Sequence, residues 1–245
     1  MEEELNSFDK DLDKNASNFI PLSPITFLER AKDVYPDYEA LVYEDKQYTW
    51  KQVYDRSTQF ASALEKQGIG LGDTVSILAA NTPELFEAHY SIPMTGAVIN
   101  TINIRLDPQT VAYILEHSDA KLLIVDTQFS PIIKKALELI KKEISIIDIV
   151  DDNAKLKEGE GERLGKWTYE EFLNLGEKDY KWKRPKDEWQ AISLSYTSGT
   201  TGQPKGVVYH HRGSYLMSMG SVVAWNMPNR LTYLYLVPMF HCNGW

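Results

Sequence analysis

Residues 74–103, TVSILAANTPELFEAHYSIPMTGAVINTIN, contain the pattern that decides the fold. TVSILAA (74–80) is a short apolar run of strand length, and a second one, AVINTIN, covers 97–103. Between them, Asn81 and Thr82 precede Pro83, which suits the first position of a helix because proline lacks the N–H that this position leaves unbonded. The stretch therefore predicts a strand, a helix and a second strand.

The same alternation continues on both sides of this stretch. Upstream, Thr49 is a plausible cap for an amphipathic helix that stops at Gly68. Downstream, the predicted elements are a helix from Pro108 to Leu115, a strand over 121–126, a helix from Pro131 to Ile140 and a strand over 145–150. Strands that alternate with helices of this length predict an α/β fold of mostly parallel sheets flanked by helices.

Changes in composition divide the chain into four segments. Residues 1–20 are predicted to be an acidic flexible tail with an extended entry at Pro21 and Pro24, and 21–150 form a first α/β lobe. Residues 151–188 are highly charged and are predicted to be a surface excursion or linker with one short helical piece around 169–175 and no strand. Residues 189–245 begin a second α/β lobe, with a strand over 189–196, a helix over 211–225 and a strand over 231–240.

Charge and cysteine content limit the possible functions. The 245 residues carry 26 Lys+Arg against 35 Asp+Glu, and a net charge of -9 disfavours nucleic acid or an anionic membrane as a partner of the whole chain. Cys242 is the single cysteine, so no intramolecular disulfide can form. The acidic N-terminal stretch has no apolar signal region, and no run of 18 apolar residues occurs. We expect a soluble, cytoplasmic protein without a membrane span.

The segment LSYTSGTTGQPKGVVYHH (194–211) has the composition of a loop that binds polyphosphate. It follows a predicted buried strand, and ligands of open α/β sheets bind outside the carboxyl ends of strands. Hydroxyls, glycine N–H groups and one ammonium would together neutralise phosphate oxygens. The segment is not a Walker A loop, because Pro204 stands where that motif requires glycine and Gly206 follows the lysine. A plain flexible linker is the alternative, disfavoured by the position after a strand.

LSYTSGTTGQPKGVV (194–208) resembles the phosphate-loop signature of the adenylate-forming superfamily, which includes acyl-CoA synthetases, aryl-CoA ligases, luciferases and nonribosomal adenylation domains. Residues 78–126 resemble the N-terminal block of that family, and VPMFHCNGW (237–245) resembles its next motif after the loop. YHHRG, AWNMP and FHCNGW are most similar to the branch of plant acyl-activating enzymes and bacterial methylmercaptopropionate-CoA ligases.

The resemblance implies a two-step ligase. ATP would transfer AMP to a carboxylate with release of pyrophosphate, and the thiol of coenzyme A would then displace AMP. Mg²⁺ and the loop would hold the β- and γ-phosphates. The loop residues expected to bind the nucleotide are Thr197, Ser198, Gly199, Thr200, Thr201, Gly202 and Lys205.

The resemblance also assigns the motif that ends the sequence. Phe240 and His241 occupy the place of the family's aromatic–histidine pair beside the reacting carboxylate, which gives His241 a catalytic and substrate-binding role. On an extended chain Asn243 would point to the same side as His241 and contact the acyl group. Trp245 is a candidate wall of the acyl pocket, with a core position as the alternative.

Three other sites are disfavoured. A Cys242–His241 thiol pair is disfavoured because neighbours on a strand point to opposite faces. The pair His210 and His211 lacks a Cys or acidic ligand at a usual metal spacing and is predicted to be a neutral surface pair, so no protein metal site is expected. The chain also has no GxSxG elbow of an α/β hydrolase.

The sequence ends at Trp245, the last residue of the FHCNGW motif, and the family's later motifs are not in the sequence. We therefore expect an N-terminal portion of a ligase that does not turn over alone. An apolar sheet edge after 231–240 would favour association. The alternative is a noncatalytic nucleotide-binding or partner-binding module. The identity of the carboxylic acid is left open at this stage.

Overall fold

The computed structural model describes residues 8, 10–197 and 202–241. Its α-helices are α1 (Ile25–Val34), α2 (Trp50–Lys66), α3 (Pro83–Ser91), α4 (Pro108–His117), α5 (Ser130–Leu137), α6 (Tyr169–Leu173) and α7 (His211–Ala224). Its strands are β1 (Glu39–Tyr43), β2 (Lys46–Thr49), β3 (Thr74–Leu78), β4 (Val98–Thr101), β5 (Ala120–Asp126), β6 (Ser145–Ile149), β7 (Trp167–Thr168), β8 (Ala191–Thr197) and β9 (Lys205–His210).

Seven strands form one sheet in the order β7-β6-β5-β3-β4-β8-β9. All neighbours are parallel except β8 and β9, which pair as an antiparallel hairpin. Alternate residues of β5 pack against different helices: Ile124 lies in a core cluster with α2, α3 and α6, whereas Leu123 and Val125 lie in a cluster with α4 and α5. The predicted class, a mostly parallel sheet flanked by helices, is confirmed.

The predicted helix starts coincide with caps. Thr49 and Gln52 form a capping box at α2, in which each side chain bonds the backbone N–H of the other residue. Thr82 accepts from the N–H of Leu85 ahead of α3, and Asp107 accepts from Thr110 ahead of α4. These caps fix the direction in which each helix leaves the carboxyl end of a strand.

The sequence did not predict α1 or the antiparallel hairpin β1–β2. The expectation of an extended entry was wrong at Pro24, which has helical dihedral angles and stands immediately before α1. Only Ile25 and Leu28 of α1 are buried, so the helix lacks the long apolar stripe that identifies α2. Strands β1 and β2 have no fully buried residue.

The charged segment 151–188 contains more structure than its composition indicates. The expected helical piece is α6, but β7 precedes it and pairs with β6, so the expectation of no strand was wrong. Arg56 of α2 joins α6 to α3, because its guanidinium bonds both Glu170 and the buried Glu87 at 2.5 Å. Strands from both predicted lobes lie in the same sheet. The division of the chain into domains stays a prediction.

The strand predicted over 231–240 was wrong. This segment is irregular and ends in a turn at 239–241, and the neighbour of β8 is instead β9, from the exit of the predicted loop. The apolar alternation of 231–240 resembles a strand, but in the described part of the chain it has no partner strand. The apolar edge of the sheet is therefore β9, where Val208 is 60% exposed.

Candidate functional site

The β8–β9 hairpin carries the predicted phosphate loop at the carboxyl edge of the sheet. Thr197 ends β8 and pairs in register with Lys205, the first residue of β9. The Thr197 hydroxyl lies 3.5 Å from the Lys205 carbonyl oxygen, which it faces as a donor. The strand ladder thus brings the two ends of segment 198–201 together, and both Thr197 and Lys205 are exposed to solvent.

A cavity of about 330 Å³ adjoins this hairpin. It is bounded by the carboxyl ends of β4 and β8, by β9 and by the turn at 239–241. Its lining residues include Thr101, Asn103, Ser195, Tyr196, Thr197, Pro204, Val207, Tyr209, Phe240 and His241. The parallel register explains why the two strands meet there: Asn100 of β4 pairs with Leu194 of β8, so Thr101 and Ser195 lie side by side at the same edge.

His241 lines this cavity from an exposed turn. Its neighbour Phe240 is buried, and the Phe240 carbonyl oxygen accepts a 2.8 Å hydrogen bond from the Thr101 hydroxyl. The N–H of His241 donates to the carbonyl oxygen of Pro238 at 3.0 Å. The imidazole therefore belongs to a turn that is hydrogen-bonded to the end of β4, and it lines the same cavity as Thr197.

Asn81 holds the chain that leads into this turn. Its amide nitrogen donates to the carbonyl oxygens of Tyr235 at 3.2 Å and Val237 at 3.0 Å, and its side-chain oxygen accepts from the N–H of Met239 at 2.8 Å. One side chain after β3 thus satisfies three backbone groups of a segment that has no ladder of its own.

His89 of α3 lies beneath the same segment. The ring is buried, with Nδ1 2.7 Å from the carbonyl oxygen of Leu85. Burial lowers the pKa of His89 to about 4, although hydrogen bonds with the backbone of Leu85 and Met239 act in the opposite direction. The imidazole is therefore neutral near pH 7.

Four of the predicted site residues, Thr197, Gly202, Lys205 and His241, lie in the described part of the chain. The other six, Ser198, Gly199, Thr200, Thr201, Asn243 and Trp245, lie outside the described residues, as does Cys242. Thr197 and His241 share the cavity, and Lys205 lies opposite Thr197. The role of each residue stays a prediction. The direction of Asn243 was inferred from an extended strand, but the described segment before it, 231–241, contains no strand.

The two adjacent histidines differ from the expected surface pair. His210 caps α7 by accepting from the N–H of Gly213 at 2.9 Å, and its ring packs against Trp189. His211 is buried, with Nδ1 3.0 Å from the Ser23 hydroxyl, and burial lowers its pKa to about 4. The expectation of a surface pair was therefore wrong for His211. Within the described ranges, no group of three or more His, Cys, Asp or Glu side chains is arranged to hold a metal ion.

Several residues around the cavity were missed by sequence reasoning. Asn81 was assigned only to a helix start, and Thr101 only to a strand. Their positions after β3 and at the end of β4 are the available signal, since carboxyl ends of neighbouring parallel strands share an edge. Tyr113 and His117 of α4, which contact the hairpin, had no sequence signal beyond their helical spacing.

Comparison with known proteins gives a consistent result. The model of the family described as AMP-binding enzyme matches residues 28–245. An acetate–CoA ligase of Humulus lupulus is 46% identical over 243 residues, covering 96% of this chain and 43% of the relative. A peroxisomal acetate/butyrate–CoA ligase of Arabidopsis thaliana is 42% identical with the same coverage. The chain thus spans less than half the length of these relatives.

Solved structures share the fold. An anthranilate CoA ligase in complex with anthranoyl-AMP is 28% identical, with a TM-score of 0.70 over 81% of this chain and 37% of that one. A long-chain-fatty-acid CoA ligase from Archaeoglobus fulgidus has a TM-score of 0.78 at 20% identity, over 92% of this chain and 44% of that one, and supports the fold alone. Among the helices that the structure describes, none is long and apolar enough to cross a membrane.

Proposed function

We propose that this chain, which belongs to the AMP-binding enzyme family, provides the phosphate loop and the acyl-side histidine of an ATP-dependent acyl-CoA ligase. The observation that carries the proposal is the shared cavity of Thr197 and His241. We propose the complete reaction only for a protein that also contains the parts of the relatives that this chain does not cover. We propose that the 245 residues alone bind nucleotide without completing turnover.

The hairpin supports a role in holding phosphate. A carboxylate is a poor acyl donor, and attack on the α-phosphorus of ATP replaces its oxide leaving group by AMP. The β- and γ-phosphates then depart as pyrophosphate and need donors that are already in place. In this proposal Thr197, Gly202 and Lys205 contribute a hydroxyl, an unhindered N–H and an ammonium, together with Ser198, Gly199, Thr200 and Thr201.

The turn at 239–241 supports the position of the carboxylate. His241 lies on the cavity beside the carboxyl end of β8, so a carboxylate that contacts the imidazole would approach a phosphate held by the hairpin. Asn243 and Trp245 are proposed as further contacts of the acyl group. Because two relatives are named for acetate and butyrate, we propose a short-chain carboxylic acid as the substrate.

Mg²⁺ and coenzyme A complete the proposed set of ligands. Mg²⁺ prefers oxygen ligands and is commonly bound through substrate phosphates with few protein groups. The described lining of the cavity offers hydroxyls and carbonyls but no carboxylate, so Mg²⁺ would arrive on the phosphates of ATP. Its role would be to neutralise charge on pyrophosphate. A cytoplasmic location stays a proposal, since several relatives are named peroxisomal.

The test measures nucleotide binding and chemistry separately. Calorimetry with MgATP and with magnesium pyrophosphate would be applied to the chain and to Lys205→Ala. Carboxylate-dependent ATP–pyrophosphate exchange with acetate and butyrate would be measured on the complete gene product. We expect binding that Lys205→Ala weakens about tenfold, as for loss of one charge-assisted contact. Lys155→Ala, at an exposed lysine distant in sequence from the hairpin, is the control.

The outcomes separate the two candidate functions. Binding of ATP without exchange in the complete gene product would favour the alternative function, a noncatalytic nucleotide-binding module. Exchange that depends on acetate or butyrate would support the ligase. Equal affinity of Lys205→Ala and the unaltered chain would overturn the role of the loop.

A further inference from the structure

Two side chains of α4 contact the hairpin, one near the end of β8 and one immediately before β9. The Tyr113 hydroxyl donates to the carbonyl oxygen of Pro204 at 3.3 Å, and His117 Nδ1 lies 2.7 Å from the Tyr196 hydroxyl. Tyr196 stands immediately before Thr197 in β8, and Pro204 stands immediately before Lys205 of β9. The two contacts therefore lie on either side of segment 198–201.

Helix α4 is fixed by groups outside the hairpin. Asp107 caps its first turn through the N–H and the hydroxyl of Thr110, and Val111 and Leu115 are fully buried in the core cluster beneath it. Tyr113 and His117 are one helical turn apart, so they share a face, and their ring centroids are 5.2 Å apart. The pair thus presents two polar groups from a rigid support.

The contacted strands are also closely packed against each other. Tyr196 pairs in register with Gly206, and a Cβ at Gly206 would lie 3.0 Å from Leu194 Cδ1 and 3.6 Å from the Tyr196 ring. The Tyr196 ring packs edge-on to His117 at 5.7 Å. Burial raises the pKa of Tyr196 to about 12, so its hydroxyl keeps its proton at neutral pH for the bond with His117.

We propose that Tyr113 and His117 are positioning residues that hold the end of the hairpin formed by Thr197 and Lys205 so that these two residues meet the β- and γ-phosphates of ATP. This inference rests on the proposed function. A site made of backbone N–H groups binds an anion well only when its donors are placed in advance, because ordering a loop on binding costs conformational entropy. Anchoring both strands to one helix lowers that cost.

The test compares variants that change single polar groups. Tyr113→Phe removes the hydroxyl, His117→Leu removes the imidazole, and His117→Asn keeps a polar group near the position of Nδ1. Gln109→Ala, at an exposed position of α4, is the matched control. MgATP and magnesium pyrophosphate would each be titrated into every variant by calorimetry, and thermal unfolding without ligand would be recorded in parallel.

We expect the dissociation constants of both ligands to rise about three- to tenfold in Tyr113→Phe and in His117→Leu, comparable with the loss of one hydrogen bond. His117→Asn should recover most of the affinity, and Gln109→Ala should match the unaltered chain. Unfolding midpoints should stay within a few degrees of each other. Recovery by asparagine is the readout that a purely structural role would not produce.

Two negative results have different meanings. If the unaltered chain binds neither ATP nor pyrophosphate, the proposed function fails, and this inference fails with it. If the unaltered chain binds both but Tyr113→Phe and His117→Leu stay within twofold of it, the proposed function stands and the positioning role is overturned. An affinity of His117→Asn as low as that of His117→Leu also contradicts the role of the hydrogen bond.

Discussion

The central strands and the β8–β9 hairpin are parts of one sheet with opposite surroundings. Every residue of β3 is buried, whereas residues 205–208 of β9 are all exposed. Helices cover both faces of β5, whereas the hairpin is held by its own ladder, by the pairing of β8 with β4 and by the contacts from α4. The difference separates stability from the proposed binding role: the centre is closely packed, and the hairpin exposes the polar groups that we propose bind a ligand.

The largest expected difference between these regions is in packing. Ile124→Ala in β5 removes a fully buried side chain and should lower the free energy of unfolding by about 2–5 kcal/mol. Val208→Ala in β9, where the side chain is largely exposed, should change it by less than about 0.5 kcal/mol. Urea unfolding of both variants measures the contrast. Similar losses at the two positions would show that the hairpin is packed as tightly as the centre.

A pH effect should distinguish the buried histidine. The pKa of His89 is about 4 in the folded chain and about 6.5 when unfolded, so the unfolded state binds the proton first as the pH falls. The free energy of unfolding therefore does not depend on the ionisation of His89 above about pH 6.5, and it falls as the pH drops from there toward 4. Relative to His89→Gln, the unaltered chain should lose about 2 kcal/mol between pH 7.5 and pH 4.5.

The comparison with His89→Gln removes other titrations from this measurement. Burial also raises the pKa of Glu87 and of Asp126, which changes stability with the opposite sign, and His211 changes it with the same sign as His89. These groups are present in both chains and cancel in the difference. Urea unfolding at four pH values would measure it, and a difference independent of pH would contradict the neutral, buried state of His89.

Asn81 connects the stable centre to the cavity. Asn81→Ala removes three hydrogen bonds to 235–239 and should lower the free energy of unfolding by about 1–2 kcal/mol, since part of this backbone regains water. Asn174→Ala, whose side chain makes one exposed bond to a backbone carbonyl, is the control and should cost less than about 0.5 kcal/mol. A cost for Asn81→Ala no larger than the control would show that 235–239 is held by other contacts.

Gly202→Ala should leave stability almost unchanged. No heavy atom of the described residues lies within 4 Å of the position that a Cβ would take, and φ of Gly202 is outside the left-handed region. Unfolding should therefore shift by less than about 0.5 kcal/mol. The affinity for ATP should nevertheless fall about tenfold if phosphate approaches the backbone there. Gly70→Ala, also in open space and outside the helices and strands, is the control for both measurements.

Sequence reasoning was most successful where burial and capping act together. Thr49, Thr82 and Asp107 are caps in the structure, and the four apolar runs predicted as strands between 74 and 150 correspond to β3 to β6. It failed where contacts distant in sequence decide the structure. The alternation in 231–240 predicted a strand, but Asn81 bonds this segment in an irregular conformation. Strand β8 pairs instead with β9.

The site was predictable only in part for the same reason. Composition identified the loop after β8, and a family resemblance identified His241. The cavity that joins them also requires Thr101 and α4, which are far from both in sequence. Local pattern cannot show that the ends of β4 and β8 are neighbours, because their order in the sheet depends on a crossover.

That crossover also sets an order of assembly. Strand β8 pairs with β4 only after the ribosome has produced the whole of β5, β6 and the charged segment, because Leu194, the partner of Asn100, is translated after them. Translation therefore completes β3 to β6 first, and the nascent chain carries an unpaired β4 edge for several seconds at ordinary elongation rates of roughly 5–20 residues per second. The polar groups of the cavity come together last, so a ligand that binds there cannot assist the earlier folding steps.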